Sequence, residues 1–512
     1  MWKWIKNLGR RVGKKLGLIE NLQNIRDHKK INVDEATYQR IDFNKRMYQG
    51  EVKEWHDLRY NGSTGKEIHR KQKTLNMPKV LAKKMARLVF NEGVNISLAK
   101  DSEGKEAQWA LIDGVVTSNK FIREFQRYLE YMFAMGGVAV EIYLDGEEPK
   151  LAYATADAFF PLSSDTEQVD EAVIANRFHE DGYYYTLLKW HEWGEWEVSG
   201  DERNYRIKNE LYRSKSADSL GEKVGLRELY EDMEPETYFT TESSYFVYIK
   251  PNEANNKDIT SPLGISIYEN VKDTIQMLDV MYDFWYNEFR LGKRRVAVPE
   301  YLLKTSYDAN GKPYVYFDDS EELFVAMNAS EMDEMKMKDM TADLTVDLRV
   351  EQVVNSIQSL LDVLAMQTGL SAGTFTFTQG GLKTATEVVS ENSETYQTRS
   401  SHINVIEDAL RDLIVKIYEV ATLDNPTAEP LERMDISIDF NDGVFSDSQS
   451  LFKFWSEGYS RGLVPQEEAI KRIYKLSDEE AQEWIAKLNQ DEQRGALNQQ
   501  QAIAEAELRI ER

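Results

Sequence analysis

Residues 267–289, IYENVKDTIQMLDVMYDFWYNEF, place apolar side chains at strictly alternating gaps of three and four positions. This spacing predicts an α-helix with a single narrow apolar seam. The seam consists of Tyr268, Val271, Ile275, Leu278, Tyr282, Trp285 and Phe289. The other faces of the same helix carry Asp273, Asp279 and Asp283. A helix that is apolar along one line only is expected to pack along that line.

The segments after this helix are an insert, a second helix, a loop and a third helix. The insert, 293–345, contains the hairpin signal Asn310-Gly311 and then an acidic run. The second helix, predicted at 346–367, has its own seam of Val350, Val354, Ile357, Leu361 and Leu364. A long helix is predicted over residues 384–423, and it begins with the capping box Thr384-x-x-Glu387. The core-facing side of its second half consists of Ile403, Ile406, Leu410, Leu413, Ile417 and Val420.

The region before residue 265 mixes helices and strands. A helix is predicted over 119–135, and the next stretch alternates like two strands joined by a turn at Asp145-Gly146. Further alternating runs between 181 and 251 predict a middle third rich in antiparallel hairpins. Beyond 441 the chain is expected to be helical, with VPQEEAIKRIY as one helix and a capping box at Ser477–Glu480. The predicted fold class is therefore α+β.

The composition excludes several classes of protein. The 512 residues carry 88 acidic against 63 basic side chains, a formal charge of -25, which argues against a protein that reads DNA sequence. There are no cysteines, so disulfides, thiolate zinc sites and thiol nucleophiles are excluded. The chain lacks the long apolar run that a transmembrane helix needs, and its charged start lacks the apolar core of a secretory signal.

Two basic segments leave alternatives open. The first 20 residues, MWKWIKNLGRRVGKKLGLIE, fit a helix at a membrane surface or an arm that docks on a neighbouring chain, and their glycines favour the arm. The segment from Lys66 to Arg87 predicts a helix that starts near Pro78. Its apolar face would consist of Val80, Leu81, Met85 and Leu88. Its lysines fit a contact with nucleic acid or an acidic partner, although a solvated face or a salt-bridged subunit contact is favoured.

The stretch GTFTFTQGGLKTATE, residues 373–387, looks at first like a phosphate-binding loop. A P-loop requires a glycine directly before the lysine, whereas Leu382 stands between Gly381 and Lys383. The six histidines lie far apart, no carboxylate pair stands out for acid–base work, and no G-x-S-x-G elbow is present. The sequence predicts no catalytic constellation, no metal site and no cofactor, and it favours a structural or conduit role.

The order of these segments, together with four phrases, carries a resemblance to a known family. The phrases are LNMPKVLAKKMARLVFNEG at 75–93, AFFPLSSD at 158–165, SPLGISIYENVKDTI at 261–275, and GLSAGTFTF followed by KTATEVVSENSETY within 369–396. Over nearly its whole length the chain resembles the portal proteins of long-tailed bacteriophages that infect Gram-positive bacteria. The resemblance implies a non-enzymatic ring, usually of twelve subunits, at one capsid vertex. Double-stranded DNA would be packaged and ejected through this ring.

The resemblance also implies a division of the chain into parts. It assigns 1–265 to an N-terminal arm and an α/β wing, 266–292 and 346–367 to a two-helix stem, 293–345 to a small α/β clip, 368–383 to a tunnel loop, 384–440 to a long helix returning to the wing, and 441–512 to a helical crown and tail. Family members use the clip to dock the terminase large subunit and later the head-completion adaptor. Docking would then involve Asp318, Asp319, Glu321 and Glu322.

Further partners implied by the resemblance are the major capsid and scaffolding proteins, with no membrane involved. The implied location is the virion, at the capsid vertex, and the host cytoplasm during assembly. The acidic excess of the chain fits such a channel, because each strong phosphate contact would add to the cost of DNA sliding.

Two further sets of site residues are implied by the resemblance. In the tunnel loop, flexible glycines and polar side chains would lie near DNA, and the set is Gly373, Thr374, Thr376, Thr378, Gln379, Gly380, Gly381 and Lys383. The alternative is that Phe375 and Phe377 pack this loop on the stem. In the stem, neighbours around the ring would cover Val271, Ile275, Leu278, Tyr282, Trp285, Phe289, Val354, Ile357 and Leu361. A lone subunit is then expected to expose this apolar stripe.

Two rival functions of other classes stay open at this point. One is an NTPase or motor subunit that uses the loop at Gly380–Thr384. The other is a membrane-associated adaptor that uses the basic N-terminus.

Overall fold

A computed structural model describes much of the chain between residues 31 and 488. The described residues are 31, 34–61, 65–91, 94–99, 102, 104–146, 148–164, 168–198, 200–217, 219–231, 233–292, 296–297, 304–307, 310–316, 342–343, 347–376, 393–425, 427–440, 448–474, 476, 481–482 and 484–488. The predictions for the N-terminal 30 residues, for the acidic run of the insert and for both capping boxes lie outside these residues.

The α-helices lie mainly in the first and last thirds of the described chain, on either side of a run of strands. They are α1 (Glu35–Gln49), α2 (Lys53–His56), α3 (Met77–Val89), α4 (Glu106–Ser118), α5 (Phe121–Met135), α6 (Lys272–Leu291), α7 (Val350–Gln367), α8 (Ser393–Ala421), α9 (Ser448–Ser460) and α10 (Gln466–Tyr474). The strands before α6 are β1 (Asp57–Asn61), β2 (Glu67–Lys71), β3 (Asn95–Leu98), β4 (Val138–Asp145), β5 (Glu148–Thr155), β6 (Phe159–Ser164), β7 (Val169–Glu180), β8 (Tyr183–Val198), β9 (Asp201–Ser214), β10 (Glu222–Val224), β11 (Glu236–Phe239) and β12 (Phe246–Ile249). The strands after α6 are β13 (Val296–Ala297), β14 (Lys304–Tyr307), β15 (Pro313–Tyr316), β16 (Ala342–Asp343) and β17 (Ile436–Asp439).

Antiparallel pairing organises the sheets. The largest sheet has the order β10-β9-β8-β7-β6, with β11 also paired to β9, and a second sheet has the order β12-β4-β5. Every pair in these two sheets is antiparallel. The hairpin-rich middle third and the α+β class are thus confirmed.

One continuous apolar core joins the helices to the sheets. Helix α5 buries Phe125, Leu129 and Met132 completely, as its spacing of three and four residues requires. Helix α8 packs on β12 and β4, and its predicted core-facing side is confirmed because all six of those residues are buried. This core holds the start of α6 and the end of α7, which carry the candidate site.

The turn signals in the sequence are confirmed where the structure describes them. Gly146, between β4 and β5, and Gly311, between β14 and β15, both have the positive φ that favours glycine. The helix predicted over 119–135 begins two residues later, because Lys120 lies in the left-handed region. Helix α4 has no counterpart among the predicted elements, since it buries only Ile112 and Val115 and so has weak apolar periodicity.

Candidate functional site

Helices α6 and α7 form an antiparallel pair whose two ends are joined by polar contacts. At one end Thr274 donates a 2.8 Å hydrogen bond to Gln367. At the other end Arg349 donates to Glu288 from its backbone N at 3.0 Å and from its guanidinium at 2.9 Å. The hydrogen bonds from Arg349 lower the pKa of Glu288. The pair is therefore held in register, although the chain between the helices is long.

Part of the predicted ring-packing seam is covered by the chain itself. Five of its residues are almost fully buried without any neighbouring copy: Val271, Ile275, Leu278, Ile357 and Leu361. The expectation that a lone subunit exposes these five side chains is therefore wrong. They pack where α6 meets α7 and the main core, because these seam residues of both helices belong to the same apolar core. Tyr282, Trp285 and Val354 are half-buried, and Phe289 is 49% exposed.

A second apolar line on α6 is exposed instead. Met277, Val280 and Phe284 are 56%, 49% and 37% exposed, and they follow one another at gaps of three and four residues. Residues at these gaps share one helix face. We call these three side chains the outer ridge. None of these three residues belongs to the predicted seam. Their own gaps of three and four residues are nevertheless visible in the sequence.

The acidic side chains on the remaining face of α6 bind the segment that precedes α3. Oδ1 of Asp279 accepts hydrogen bonds from the Leu75 N–H and the Thr74 hydroxyl, both at 2.8 Å. Oδ2 of Asp279 lies 2.9 Å from Nε2 of His56, which must donate because a carboxylate only accepts. His56 and Asp279 are both buried. A buried carboxylate that accepts three hydrogen bonds fixes the position of α6 against this segment.

Asp283, one helical turn further along, binds the same segment. Arg70 donates to both of its oxygens, at 2.7 and 2.6 Å, and the Lys73 N–H donates at 3.0 Å. Burial alone would raise the pKa of Asp283, but these hydrogen bonds and the charge of Arg70 lower it. We call Asp279 and Asp283 with their donors the carboxylate clamp. Both aspartates are visible in the sequence as polar positions of a helix, but the donors Thr74 and Arg70 lie more than 200 positions away and give no local signal.

The start of the predicted tunnel loop is joined to α8, the helix that follows the loop, by a small hydrogen-bonded neck. The Ser371 N–H donates to the Thr395 hydroxyl at 2.9 Å, and the Thr395 N–H donates back to the Ser371 hydroxyl at 3.2 Å. The Thr398 hydroxyl donates to the Gly369 carbonyl at 2.6 Å. Both Ser371 and Thr395 are buried. The chain between them therefore leaves and re-enters the core at one place.

The first residues of this loop lie against α7. The Gly373 N–H donates to Asp362, and the Phe375 carbonyl accepts from Gln358. Phe375 is half-buried on the core, so the alternative in which it packs the loop on the stem is confirmed for this residue. Thr374 is half-buried and Thr376 is exposed. The other predicted loop residues, Thr378, Gln379, Gly380, Gly381 and Lys383, lie outside the described residues, as do Asp318, Asp319, Glu321 and Glu322.

The basic helix predicted after Lys66 is α3, with Pro78 in its first turn. Leu81 and Met85 are buried as expected, but Val80 is 41% exposed, so its assignment to the apolar face is wrong. Lys83, Lys84 and Arg87 are exposed and form no ion pair with any residue that the structure describes. This fits a solvated or partner-facing side of α3.

Within the described ranges, no group of three or more His, Asp and Glu side chains is arranged to hold a metal ion. None of the described helices has both the length and the apolar character needed to cross a bilayer.

Comparisons with known proteins identify the family but not the details of the site. The family model described as "Phage portal protein, SPP1 Gp6-like" matches residues 27–494. No curated protein matches the sequence. Among solved structures, the chain is similar to one described as "Neck of empty GTA particle computed with C6 symmetry", with 10% identity, 78% of this chain and 89% of that chain covered, and a TM-score of 0.39. A likeness at that score supports no inference about this chain.

Proposed function

The chain belongs to the family of phage portal proteins, and on that premise we propose that copies of it form a ring that conducts double-stranded DNA through one capsid vertex. The family is structural, and its members are capsid components of the head-to-tail connector. The match over residues 27–494 is the observation that carries the proposal. The ring would act during both packaging and ejection, without catalysis by the ring itself.

The outer ridge supports the ring contact. A line of three exposed apolar side chains on a long helix is unfavourable in water, at roughly 25 cal/mol for each Å² of apolar surface left uncovered. In a closed ring each copy offers one face to the next and receives another in return, so such a line can be covered in every subunit. We assign this role to Met277, Val280 and Phe284, with Tyr282, Trp285, Phe289 and Val354 as further candidates.

The loop that starts at the neck is the candidate for proximity to DNA. Ser371 and Thr395, which flank its central part, are hydrogen-bonded to each other, so the chain leaves and returns at one place beside α7 and α8. Gly373, Thr374, Thr376, Thr378, Gln379, Gly380, Gly381 and Lys383 remain the proposed set. Lys383 would meet phosphates as a point charge, while the neutral side chains would touch the duplex without holding it. The formal charge of -25 supports a channel in which few cations retard sliding.

The docking partners are proposed from the family resemblance. The terminase large subunit and the head-completion adaptor would bind the insert between α6 and α7, at Asp318, Asp319, Glu321 and Glu322. The major capsid and scaffolding proteins would surround the ring at the vertex. The ring would assemble in the host cytoplasm and reside in the virion.

Negative-stain electron microscopy of the purified protein tests the ring. End-on views should show closed rings with a central hole wide enough for duplex DNA. Protein that remains a single copy under every assembly condition would contradict the proposal. The rivals have their own signatures: ATP turnover by the protein alone favours an NTPase, and liposome flotation that is lost on deleting residues 1–19 favours a membrane adaptor.

A packaging assay with Lys383→Gln tests the loop. Rings should still form, and the rate of DNA translocation should change while ring assembly does not. Lys53→Gln, at an exposed position of α2, is the matched control for removing one cation elsewhere. Unchanged translocation in Lys383→Gln would remove the lysine from the DNA path and leave the ring proposal intact.

A further inference from the structure

Strands β1 and β2 form a hairpin over residues 57–71, which we call the N-hairpin, and it pairs only with itself among the described strands. Every residue of its two strands is exposed except Leu58 and Arg70, which are half-buried. A two-stranded hairpin alone is marginally stable in water, and three strands or a packed surface are normally needed. Among the described residues, no third strand and no apolar surface of its own chain covers the N-hairpin.

The base of the N-hairpin is nonetheless fixed to α6. Arg70 donates to both oxygens of Asp283, and the Gln72 N–H donates to the His56 carbonyl at 2.7 Å. Leu58 and Arg70 lie opposite each other in the hairpin. These contacts fix the direction of the N-hairpin, because they anchor it at the end where the chain enters and leaves. A fixed base with an exposed far half is suited to reach another molecule.

The far half of the N-hairpin presents an apolar pair. Tyr60 and Ile68 lie directly opposite each other, and they are 43% and 38% exposed. Side chains alternate along a strand, so this pair is on the same face as Leu58 and Arg70. An aromatic ring beside a β-branched side chain is a favourable cross-strand pair, but this pair belongs to no apolar cluster of the described residues. Its chemistry fits a protein surface better than a DNA duplex.

The charge of the N-hairpin is opposite to that of the chain as a whole. Residues 57–71 contain four basic side chains, Arg59, Lys66, Arg70 and Lys71, against two acidic ones, Asp57 and Glu67. Arg59, Lys66 and Lys71 form no ion pair with any described residue. The remainder of the chain is therefore more acidic than its total of -25. A second copy of this chain thus offers the surface that complements the N-hairpin.

We propose that the N-hairpin crosses to a neighbouring copy of this chain and that this copy covers Tyr60 and Ile68. The contact is heterologous: the N-hairpin of each subunit meets a different surface of the next, which is the arrangement that closes into a ring. The proposal rests on the proposed ring and adds to it a contact outside the paired helices. It also links the ring contact to the carboxylate clamp, since Asp283 fixes the base of the N-hairpin.

Thiol labelling tests this proposal directly, because the chain has no cysteine. Ile68→Cys places one thiol on the proposed contact face, and the matched control His69→Cys places one on the opposite face of the same strand. Both variants are labelled with a maleimide, once as assembled rings and once as isolated subunits separated by size. We expect Ile68→Cys to react about tenfold more slowly in rings than in subunits, while His69→Cys reacts at similar rates in both.

The outcomes separate the N-hairpin contact from the ring. Equal labelling of Ile68→Cys in both states, with rings visible by electron microscopy, overturns the hairpin contact and leaves the ring proposal standing. Slow labelling already in isolated subunits means that the chain covers its own hairpin, and slow labelling only after duplex DNA is added means that DNA does; either result overturns the proposal. Failure of the unmodified chain to form rings overturns both.

Discussion

Arg70 donates two parallel hydrogen bonds, of 2.7 and 2.6 Å, to the carboxylate of Asp283, 213 positions further along the chain. This bidentate pair joins the N-hairpin to the middle of α6. Together with the hydrogen bonds to Asp279, this pair makes the position of α6 depend on residues 56–75. Because α6 carries the proposed ring contact, contacts that define its orientation are expected to affect assembly as well as folding.

Removing the carboxylate of Asp283 should destabilise the subunit. In Asp283→Ala, Arg70 and the Lys73 N–H lose their acceptor, and we expect the free energy of unfolding to fall by about 1–3 kcal/mol. Urea unfolding followed by circular dichroism measures this change. Asp273→Ala is the matched control, because Asp273 is exposed on the same helix and should change stability by less than about 0.5 kcal/mol. Equal effects of the two substitutions would contradict the role of the clamp.

Polar substitution of the outer ridge should prevent assembly without unfolding the subunit. We expect Val280→Ser with Phe284→Ser to shift the protein from rings to single copies, because the ridge no longer gains from being covered. Sedimentation velocity measures the distribution. The contrasting variant is Leu278→Ala, which creates a cavity in the subunit itself and should cost about 2–5 kcal/mol of stability. Stable rings of the double serine variant would count against the outer ridge as an interface.

Acid should weaken the contact between the two sheets, because Glu141 of β4 pairs with Lys189 of β8. This carboxylate is buried with Lys189, whose Nζ lies 2.8 and 2.9 Å from its two oxygens. Burial alone would raise the pKa of Glu141, but the charge of Lys189 and the hydrogen bond from His191 lower it to about 2, below the ordinary value of 4.5. The unfolded chain therefore binds this proton first as the pH falls, so the stabilisation is complete above pH 4.5 and is lost between pH 4.5 and about 2.

The variant Glu141→Gln isolates that contribution. At pH 7 it leaves Lys189 buried without its counter-charge and should cost about 3–5 kcal/mol. The difference from the unmodified chain should shrink as the pH approaches 3, which denaturant unfolding at several pH values measures. Glu195→Gln, at an exposed position of β8, should show no such pH dependence. A difference that stays constant with pH would refute the assigned pKa shift.

The neck should be sensitive to the loss of one hydroxyl. Thr395→Val keeps the shape of the side chain but leaves the buried Ser371 N–H without its acceptor, at a cost of about 1–3 kcal/mol. Thermal unfolding measures this cost. Ser359→Ala is a suitable control, since its exposed hydroxyl only donates to the carbonyl of Asn355 in the preceding helical turn. If both variants melt at the temperature of the unmodified chain, the neck does not stabilise the loop ends.

The sequence alone determined the elements that depend on local periodicity. Alternating gaps of three and four residues located α6, α7 and the core-facing side of α8, and Gly146 and Gly311 marked two hairpin turns. These features were predictable because side-chain spacing and backbone sterics act over a few residues. Four phrases and the order of the segments also pointed to the portal family, which the match over 27–494 confirms.

Only the tertiary structure decided which apolar line of α6 is covered by the chain itself. Leu278 and Val280 both fit a helical spacing of apolar residues, yet Leu278 is fully buried and Val280 is half exposed. Periodicity gives the direction of a side chain around the helix axis but not what stands opposite it. The contacts of Asp279 with His56 and of Asp283 with Arg70 could not be predicted for the same reason, because each pair is more than 200 residues apart in the sequence.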